Sequence, residues 1–546
     1  MSAPSGWRRT IVCMSDGSLI AKCAGMYIGF AQKVAYNGFI LQSNWMSIKI
    51  QFVITWPDQL KHYEESPSRR IYELMRSRID TGALGPGEKL PSTRALAADL
   101  GVSRSTVVVM YEQLAAEGYI ETAAGTRARV SPGLNNAQIR KPFSEDKQAR
   151  QASSLSSYGK RVATIALPQP PVTDPRHINF LYGAIAHEDF PTLAWRKLYN
   201  RALTRRQHHL YYGPSEGDAS LREALQGYLL RTRGLQCSAE QILIVHGTQQ
   251  ALELCASVLV DPRHRVVMEE PCYLMARRTF EAVGATIVPT PVDAQGLVTA
   301  ALPKMRCTLA YVTPSHQFPL GSVMSIRRRQ ALLAWAERHS SWIIEDDYDS
   351  EFRYGLRPVE PLQSLDARGC VIYLGTFSKA LSPQLRLGYL VLPPALVKPF
   401  RHAKQLADRH APMLEQAVLA ELIQSGVYER HLRKLKRKNE GRRGALVDAI
   451  SKYLGPRARV EGTDSGLHVV VWLNDIRKSA EQQLIVKAKE RGVGIWPISP
   501  LYAEGSKFRK DRGAGFVLGY ASLKQADIET GIRLLADVVA RFLGGS

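Results

Sequence analysis

The sequence predicts a multidomain protein in which a small, mainly helical module precedes a large α/β domain. Two observations support this prediction. First, a chain of 546 residues is too long to fold around one compact core. Second, the apolar pattern changes along the chain. Residues 67–130 show helical spacing, whereas from about residue 177 short apolar runs alternate with helical patterns.

Four segments follow from these patterns. Residues 1–60 form an N-terminal extension whose status stays open, because Met46 is an alternative start and the continuous apolar core of a signal peptide is missing. Residues 67–131 form the helical module, and residues 177–545 form the α/β domain. Between them, residues 132–176 are rich in Ser, Pro, Gln and Lys, which predicts a flexible tether.

The composition is that of a soluble globular protein with a basic surplus. Hydrophobic residues make up 45% and charged residues 22% of the chain, and no run of about 18 apolar residues predicts a membrane helix. The seven cysteines are scattered, which argues against a disulfide framework or a zinc site and favours free thiols in the cytosol. The net charge of +22 suits a polyanionic partner, although general solubility explains it equally well.

Residues 67–130 are predicted to form three helices followed by a two-stranded hairpin. Ser92 and Ser103 stand where they can cap the second and third helices. The hairpin is centred on Ala124-Gly125. Apolar residues at helical spacing define the inner faces of the three helices: Ile71, Leu74, Met75 and Ile79, then Leu96, Ala97 and Leu100, then Val107, Tyr111 and Leu114.

The exposed start of the third helix indicates a DNA contact. Arg104, Ser105 and Thr106 precede its inward-facing residues, and in a helix-turn-helix these positions reach bases and phosphates. The alternative is a helical module that only packs against the rest of the protein.

The motifs of this module resemble the GntR winged-helix motif. They are LPSTRALA at 90–97, LGVSRSTV at 100–107, YEQL at 111–114 and EGYI at 117–120. The resemblance implies that Arg94, Arg104 and Thr106 contact DNA. In the wing, Arg127 stands where the family usually has the second glycine of Gly-x-Gly, and there it could grip a phosphate or enter the minor groove.

The large domain is predicted to contain a doubly wound sheet, in which ligands bind beyond the carboxyl ends of the strands. Five apolar runs lead into polar or aromatic residues at such ends. Each residue alone has a structural explanation, but five strand ends in this order indicate one ligand site. The residues are Thr248 and Gln249 after the first run, Tyr273 after the second, His316 after the third, Asp346 and Tyr348 after the fourth, and Ser378 and Lys379 after the fifth.

A lysine and an acid at the ends of neighbouring strands predict a pyridoxal phosphate (PLP) site. Lys379 can form a Schiff base with the aldehyde, and an acid among residues 345–347 can keep the pyridine nitrogen protonated. Backbone N–H groups at the helix start after Gly247 suit a phosphate, and Arg386 can reach back to it. Tyr273 can stack on the cofactor.

Residues 177–545 resemble fold-type I aminotransferases, and joined to the GntR module they resemble the MocR subfamily of regulators. The motifs that carry the resemblance lie at 212–214, 220–225, 345–354 and 375–379. The resemblance implies a head-to-tail homodimer and a cofactor site. In that site Lys379 is the Schiff-base lysine, Asp346 meets the pyridine nitrogen, Tyr348 meets the ring hydroxyl, Tyr273 stacks on the ring, Thr248, Ser378 and Arg386 hold the phosphate, and Gln249 and His316 lie beside them.

The sequence therefore predicts a cytoplasmic, PLP-dependent transcriptional regulator that binds double-stranded DNA. It would sense PLP, or an amine or amino acid, through an aldimine at Lys379. One alternative is an active aminotransferase that carries a DNA-binding domain, and another is a structural protein with an inactive site. Efficient turnover is not expected, because Val517 stands where such enzymes commonly place an arginine for the substrate carboxylate, with Arg509 and Arg512 as candidate substitutes.

A basic run extends from Arg430 to Arg443. A solvated helix face explains this run, and it is the favoured interpretation. The alternative is a surface over which DNA passes, in which case removing its charge would weaken DNA binding and lower its salt dependence.

Overall fold

The computed structural model of the chain describes residues 67–134, 155–205, 211–354, 359–509 and 512–544, together with five short strands near the N-terminus. These strands form one antiparallel sheet, β1 (Val12–Cys13), β2 (Leu19–Cys23) and β3 (Met26–Ile28), and one hairpin, β4 (Ile40–Asn44) and β5 (Ser47–Gln51). The remainder of the extension predicted for residues 1–60 lies outside the described residues. The chain divides into two compact units, Met1–Ser154 and Leu155–Ser546.

The helical module has the predicted winged helix-turn-helix order. It consists of α1 (Pro67–Asp80), α2 (Thr93–Leu100), α3 (Arg104–Ala116), β6 (Ile120–Glu121) and β7 (Arg129–Val130), and β6 pairs with β7 in antiparallel fashion. The Oγ atom of Ser92 accepts a hydrogen bond from Ala95 N at 3.2 Å, and that of Ser103 accepts one from Thr106 N at 3.1 Å. Both predicted helix caps are therefore present.

The core of the module follows the predicted inner faces except at two positions, and Leu100, the first of them, is partly buried at the edge of the core. Leu74 is only partly buried, whereas the adjacent Tyr72 is 2% exposed. The Tyr72 hydroxyl donates a hydrogen bond to Glu117, which follows α3, so the aromatic ring joins the start of the module to its third helix. Aliphatic spacing alone gave no indication of this pairing, because it depends on a polar group at the end of the ring.

A helix lies within the segment predicted to be a flexible tether. α4 (Ser157–Thr164) begins after Ser156, whose Oγ accepts a hydrogen bond from Gly159 N at 3.0 Å. The Nε atom of Arg161 donates to the backbone carbonyl of Ala282 in the large domain at 2.8 Å. The Ser- and Pro-rich composition did not indicate this capped helix, which has few apolar residues on one face. Residues 135–154 of the predicted tether lie outside the described residues.

The large domain is built on an eight-stranded sheet with helices on both faces. Its strands are β9 (Ile242–Val245), β10 (Arg265–Glu270), β11 (Thr286–Asp293), β12 (Gly296–Leu297), β13 (Leu309–Val312), β14 (Trp342–Asp347), β15 (Val371–Thr376) and β16 (Gly388–Val391), after the short β8 (Ile178–Asn179). Their order in the sheet is β12-β11-β10-β13-β14-β15-β16-β9. Neighbours from β11 through β15 pair in parallel, and the edge pairs are antiparallel.

Alternating residues of these strands pack into separate cores on the two faces of the sheet. In β13, Leu309 and Tyr311 belong to one apolar cluster, whereas Ala310 and Val312 belong to another. Strands buried on both faces explain the nearly continuous apolar runs in the sequence. The covering helices are α5 (Thr192–Thr204), α6 (Ala219–Arg233), α7 (Gly247–Leu259), α8 (Leu274–Ala282), α9 (Ile326–His339), α10 (Pro394–Asp408), α11 (Met413–Gln424) and α12 (Val427–Tyr453).

The C-terminal part adds a four-stranded antiparallel sheet with its own core. Its elements are β17 (Ala458–Glu461), β18 (His468–Leu473), α13 (Glu481–Glu490), β19 (Val493–Gly494), β20 (Trp496–Pro497), β21 (Ala514–Gly519) and α14 (Gln525–Gly544). The strand order is β17-β18-β21-β20, and β19 pairs with β8. Within the described ranges, no helix is long and apolar enough to cross a membrane.

The predicted basic run lies on α12, where part of its charge is neutralised. Lys438 and Arg442 each contact the carboxylate of Asp189 at 2.6 Å. Arg433 and Arg437 are exposed, which agrees with a solvated helix face and leaves the DNA alternative a prediction.

Candidate functional site

A cavity of about 320 Å³ lies where the parallel strands β10, β13, β14 and β15 end. Eight of the nine residues predicted for the cofactor site line it: Thr248, Gln249, Tyr273, Asp346, Tyr348, Ser378, Lys379 and Arg386. The ninth, His316, lies behind Tyr348. The sheet brings these residues together because the carboxyl ends of parallel strands meet at one edge.

Lys379 follows β15 and reaches into this cavity. Its side chain is half-buried, and its Nζ atom donates a hydrogen bond to Gly183 O at 3.2 Å. Burial lowers the pKa of Lys379, and the carboxylates of Asp349 and Asp346 oppose that shift. A lowered pKa increases the share of neutral amine, which is the nucleophilic form of lysine.

Asp346 lies on the cavity side of β14. Its Oδ2 atom accepts a hydrogen bond from the Tyr311 hydroxyl at 2.7 Å, whereas Oδ1 is buried without a hydrogen-bond partner among the described residues. Burial raises the pKa of Asp346 to about 7, and the bond from Tyr311 opposes this rise. An unpartnered buried acceptor is costly, and a protonated ring nitrogen would satisfy it, so this residue fits PLP.

The two acids beside Asp346 serve the structure of the sheet. Glu345 accepts hydrogen bonds from the backbone N–H groups of Leu362 and Gln363 at 2.6 and 2.9 Å. Asp347 contacts the buried guanidinium of Arg233 at 2.5 Å. Because successive strand residues alternate between faces, only the middle acid of the three faces the cavity.

The start of α7 provides the end of the cavity suited to a phosphate. Gly247 adopts a left-handed φ of 71°, and a Cβ atom there would lie 3.2 Å from the guanidinium of Arg386. Arg386 in turn donates to His246 O at 2.8 Å, which holds a cation over the first N–H groups of the helix. Thr248 and Ser378 line the same region.

Tyr273 and Tyr348 bring aromatic rings to the cavity, and His316 supports the second of them. The Nδ1 atom of His316 lies 2.9 Å from the Tyr348 hydroxyl and 2.9 Å from Asp349 Oδ2. His316 is 2% exposed and is not part of the cavity wall. Its position therefore favours orienting Tyr348 and Asp349 over direct contact with a ligand.

Several residues of the wall were missed by the sequence analysis. Tyr182 and Gly183 follow β8, and His468 begins β18, so none of the three lies at a strand end of the central sheet. Burial lowers the pKa of His468 to about 3, and its Nε2 donates to Pro319 O at 3.0 Å. Tyr311 could have been found from the sequence, since a tyrosine inside an apolar run places its hydroxyl in the core of the sheet.

The candidate substitutes for a carboxylate-binding arginine are both engaged elsewhere. Arg509 is buried and contacts Glu481 and Ser499. Arg512 contacts Glu461 at 3.0 Å and does not line the cavity. The suggestion that either arginine replaces Val517 in function is therefore corrected, because acidic partners hold both guanidinium groups.

The residues predicted to bind DNA all lie on the surface of the module. Arg104 and Ser105 are exposed in the first turn of α3, and Thr106 is partly exposed beside them. Arg94 is exposed on α2, and Arg127 is exposed between the two strands of the wing. This distribution matches a recognition helix with flanking phosphate contacts.

Comparison with known proteins places both parts of the chain. The gntR family of bacterial regulatory proteins matches residues 67–130, and aminotransferase class I and II matches residues 177–512. The chain is 36% identical over 468 residues to the uncharacterized HTH-type transcriptional regulator YdeL of Bacillus subtilis (strain 168), covering 86% of this chain and 95% of that protein.

It is also 36% identical over 469 residues to the probable rhizopine catabolism regulatory protein MocR of Rhizobium meliloti, covering 86% of this chain and 92% of that protein. Among solved structures, the multiple substrate aminotransferase from Thermococcus profundus is similar, with a TM-score of 0.63 and 27% identity. That match covers 76% of this chain and 100% of the aminotransferase. These matches bear out the expected pairing of the two folds.

Proposed function

Because the chain belongs to the MocR-type transcriptional regulators, which join a gntR-family module to an aminotransferase class I and II domain, we propose that its large domain senses the occupancy of the Lys379 cavity. PLP binding is expected from the fold. When bound, PLP supplies an aldehyde carbon for an amine and an electron-accepting ring. The resulting signal would alter DNA binding by the module.

The observation that carries this proposal is the pairing of Lys379 with Asp346 in one cavity. Lys379 would be the attachment point, and Asp346 would hold the ring nitrogen with the oxygen that lacks a partner within the described part of the chain. The start of α7, with Arg386 and Ser378, would hold the phosphate. Tyr273 would cover the ring.

The cavity can act as a sensor because Lys379 and other amines would compete for the aldehyde carbon of PLP. An amine that takes that position frees the lysine side chain and changes what fills the cavity. For this to regulate transcription, the two occupancies must favour different placements of the DNA-binding modules.

Helix α4 supplies a physical connection between the cavity and the chain that leads to the module. Gln249 lines the cavity, and it also lines a groove of about 180 Å³ that α4 borders with Tyr158 and Val162. The Nε2 atom of Gln249 donates to Thr279 Oγ1 in α8 at 2.7 Å. The Arg161 bond to Ala282 at the end of α8 holds α4 against the same helix, which supports transmission through α4.

The proposal includes a cytoplasmic head-to-tail homodimer on double-stranded DNA. Two modules would read two half-sites, with Arg94, Arg104, Ser105, Thr106 and Arg127 in contact with DNA. A twofold arrangement predicts a fixed spacing between the half-sites.

The test compares wild-type protein with Lys379→Ala and with Lys398→Ala, which removes an exposed lysine of α10. Absorbance titrations with PLP report attachment, and gel shifts report how PLP and amines change DNA binding. We expect wild type and Lys398→Ala to respond in both measurements and Lys379→Ala to respond in neither. An unchanged DNA response of Lys379→Ala to PLP and amines would refute the sensor.

An active aminotransferase is the second candidate, because the large domain has the fold of the multiple substrate aminotransferase and presents Lys379 and Asp346 together. The engaged Arg509 and the apolar Val517 argue against efficient use of amino acids. We expect turnover of amino acid with 2-oxo acid to stay far below ~1 per second, a typical enzyme rate. Sustained turnover at that rate would reverse the ranking.

A further inference from the structure

One wall of the Lys379 cavity is formed by residues other than those proposed to hold the cofactor. Tyr182, Phe318, Leu467 and His468 contribute rings and an aliphatic side chain to it. The Tyr182 and Phe318 rings lie 5.8 Å apart, and those of Phe318 and His468 lie 5.4 Å apart. This wall suits the aromatic or aliphatic body of a ligand.

The charged group on the same wall is acidic. Asp349 lines the cavity, and its carboxylate is held by His316 at 2.9 Å. His468 adds no positive charge near neutral pH, because burial lowers its pKa to about 3. Among the cavity-lining residues that the structure describes, the cations are Lys379 and Arg386, which are assigned above to the aldehyde and the phosphate.

The region behind Phe318 in this wall is apolar. Val517 in β21 is fully buried in a cluster that includes Phe318, Trp472 and Tyr502. In the sheet it pairs with Val470 on one side and Trp496 on the other. A carboxylate placed here would lose its water beside Asp349. The arginines that border this cluster, Arg512 over the Trp472 ring and Arg509 over the Tyr502 ring, are already paired with Glu461 and Glu481.

We infer that this cavity selects primary amines with an aromatic or aliphatic body and without a carboxylate beside the amine. The inference rests on the proposed function, since it names the effector class of the same site. Asp349 favours the approach of an ammonium group, and the rings of the wall bury the body of the ligand. An α-amino acid with the same body is rejected because its carboxylate is desolvated without a partner.

The experiment uses ligand pairs that differ only in the carboxylate: 2-phenylethylamine with L-phenylalanine, and tyramine with L-tyrosine. Dissociation constants come from absorbance titration of the PLP-loaded wild-type protein. Calorimetry on Lys379→Ala protein measures the affinity of the cavity for the same pairs when Lys379 is absent and cannot compete with the ligand amine. We expect each amine to bind at least about 100-fold more tightly than its amino acid, with the same ranking in both measurements. Equal or tighter binding of the amino acids would overturn the inference.

Two substitutions test the assigned residues. Asp349→Asn removes the acidic charge at nearly constant volume. It should reduce the difference between the dissociation constants of the amine and the amino acid in each pair. Val517→Arg should raise the affinity for L-phenylalanine by about tenfold or more relative to 2-phenylethylamine, and Val517→Leu is its uncharged control. If Val517→Arg protein does not fold, the wild-type ligand pairs and Asp349→Asn still decide the question.

The outcomes separate this inference from the proposed function. If amino acids and amines change the absorbance and the DNA response equally, the sensor stands and the selectivity is wrong. If no ligand changes the DNA response while calorimetry still ranks the amines first, the selectivity stands and the sensor is wrong. If neither member of any pair binds, the selectivity is wrong, and the DNA response of wild type and Lys379→Ala to PLP decides the sensor separately.

Discussion

The winged-helix module and the large domain place their candidate functional side chains in opposite environments. In the module, Arg94, Arg104 and Arg127 are exposed, while a separate set of apolar residues such as Val107 forms the core. In the large domain, Asp346 is 4% exposed and lies inside the sheet. From this difference we expect binding and stability to be separable in the module and coupled in the large domain.

The coupling in the large domain is electrostatic. Burial raises the pKa values of Asp346, Glu269, Glu345 and Glu351 to about 7, because each carboxylate loses water on folding. These acids are partly satisfied by neighbouring donors, for example Thr313 Oγ1 to Glu269 Oε2 at 2.6 Å. Among these four acids, only Asp346 lines the cavity, so the PLP-free domain carries an energetic cost there that a ligand can relieve.

The largest expected effect is the pH dependence of Asp346→Asn. The pKa of Asp346 rises from 3.8 to about 7 on folding, so the folded state binds more protons than the unfolded state between these values. Its contribution to the free energy of unfolding therefore falls as pH rises from 4 to 7, by up to about 4 kcal/mol, and stays constant above 7. Without PLP, Asp346→Asn should gain stability relative to wild type over that range, measured as melting temperature from pH 4 to 8.

The matched control is Asp261→Asn, which removes a carboxylate that is 85% exposed. Its melting temperature should follow that of wild type at every pH. With PLP present, wild type should gain more stability than Asp346→Asn, because the proposed function pairs the ring nitrogen with the Asp346 carboxylate. Parallel pH profiles for Asp346→Asn and wild type would contradict the electrostatic coupling.

The next effect is expected in the module, where binding should change without stability. Arg104→Ala removes an exposed cation at the start of α3, so DNA affinity should fall by about 1–3 kcal/mol, which is roughly 5- to 150-fold. The melting temperature should stay the same. Fluorescence anisotropy measures the affinity on a DNA site selected from a random library by the wild-type protein.

The neighbouring Ser103→Ala serves as the converse variant. It removes the cap that accepts from Thr106 N, so it should lower the free energy of unfolding by about 1 kcal/mol. If Arg104→Ala destabilises the module as much as Ser103→Ala does, the separation of binding from stability in this region is wrong.

The same contrast explains which features could be predicted from the sequence. The fold of both parts follows from local patterns: caps such as Ser103 and apolar runs that end at Asp346 and Lys379. The wall of the cavity depends on residues that are distant in sequence, as with Gly183 on Lys379 and His468 beside Phe318. Such pairings follow from how β8 and β18 dock, and no local pattern specifies that docking.

The smallest effect is expected at α4, which lies between the module and the central sheet in the sequence and packs only shallowly on the large domain. Tyr158 and Val162 keep 48% and 39% of their surfaces exposed, so the Arg161 bond to Ala282 O is a large part of the attachment. Arg161→Ala should cost about 1 kcal/mol locally and speed hydrogen exchange of residues 157–164 several-fold. Lys160→Ala, at an exposed position of the same helix, should leave that exchange unchanged.

A test of α4 as the connection combines this exchange with the two functions. If Gln249 and α8 transmit the state of the cavity, PLP should slow the exchange of α4 in wild type and do so less in Arg161→Ala. PLP absorbance should stay intact in Arg161→Ala while the DNA response to PLP weakens, because the variant alters neither the cavity nor α3. Equal hydrogen exchange of α4 with and without PLP in wild type would mean that α4 packs identically in both states. The state of the cavity would then reach the module by another route.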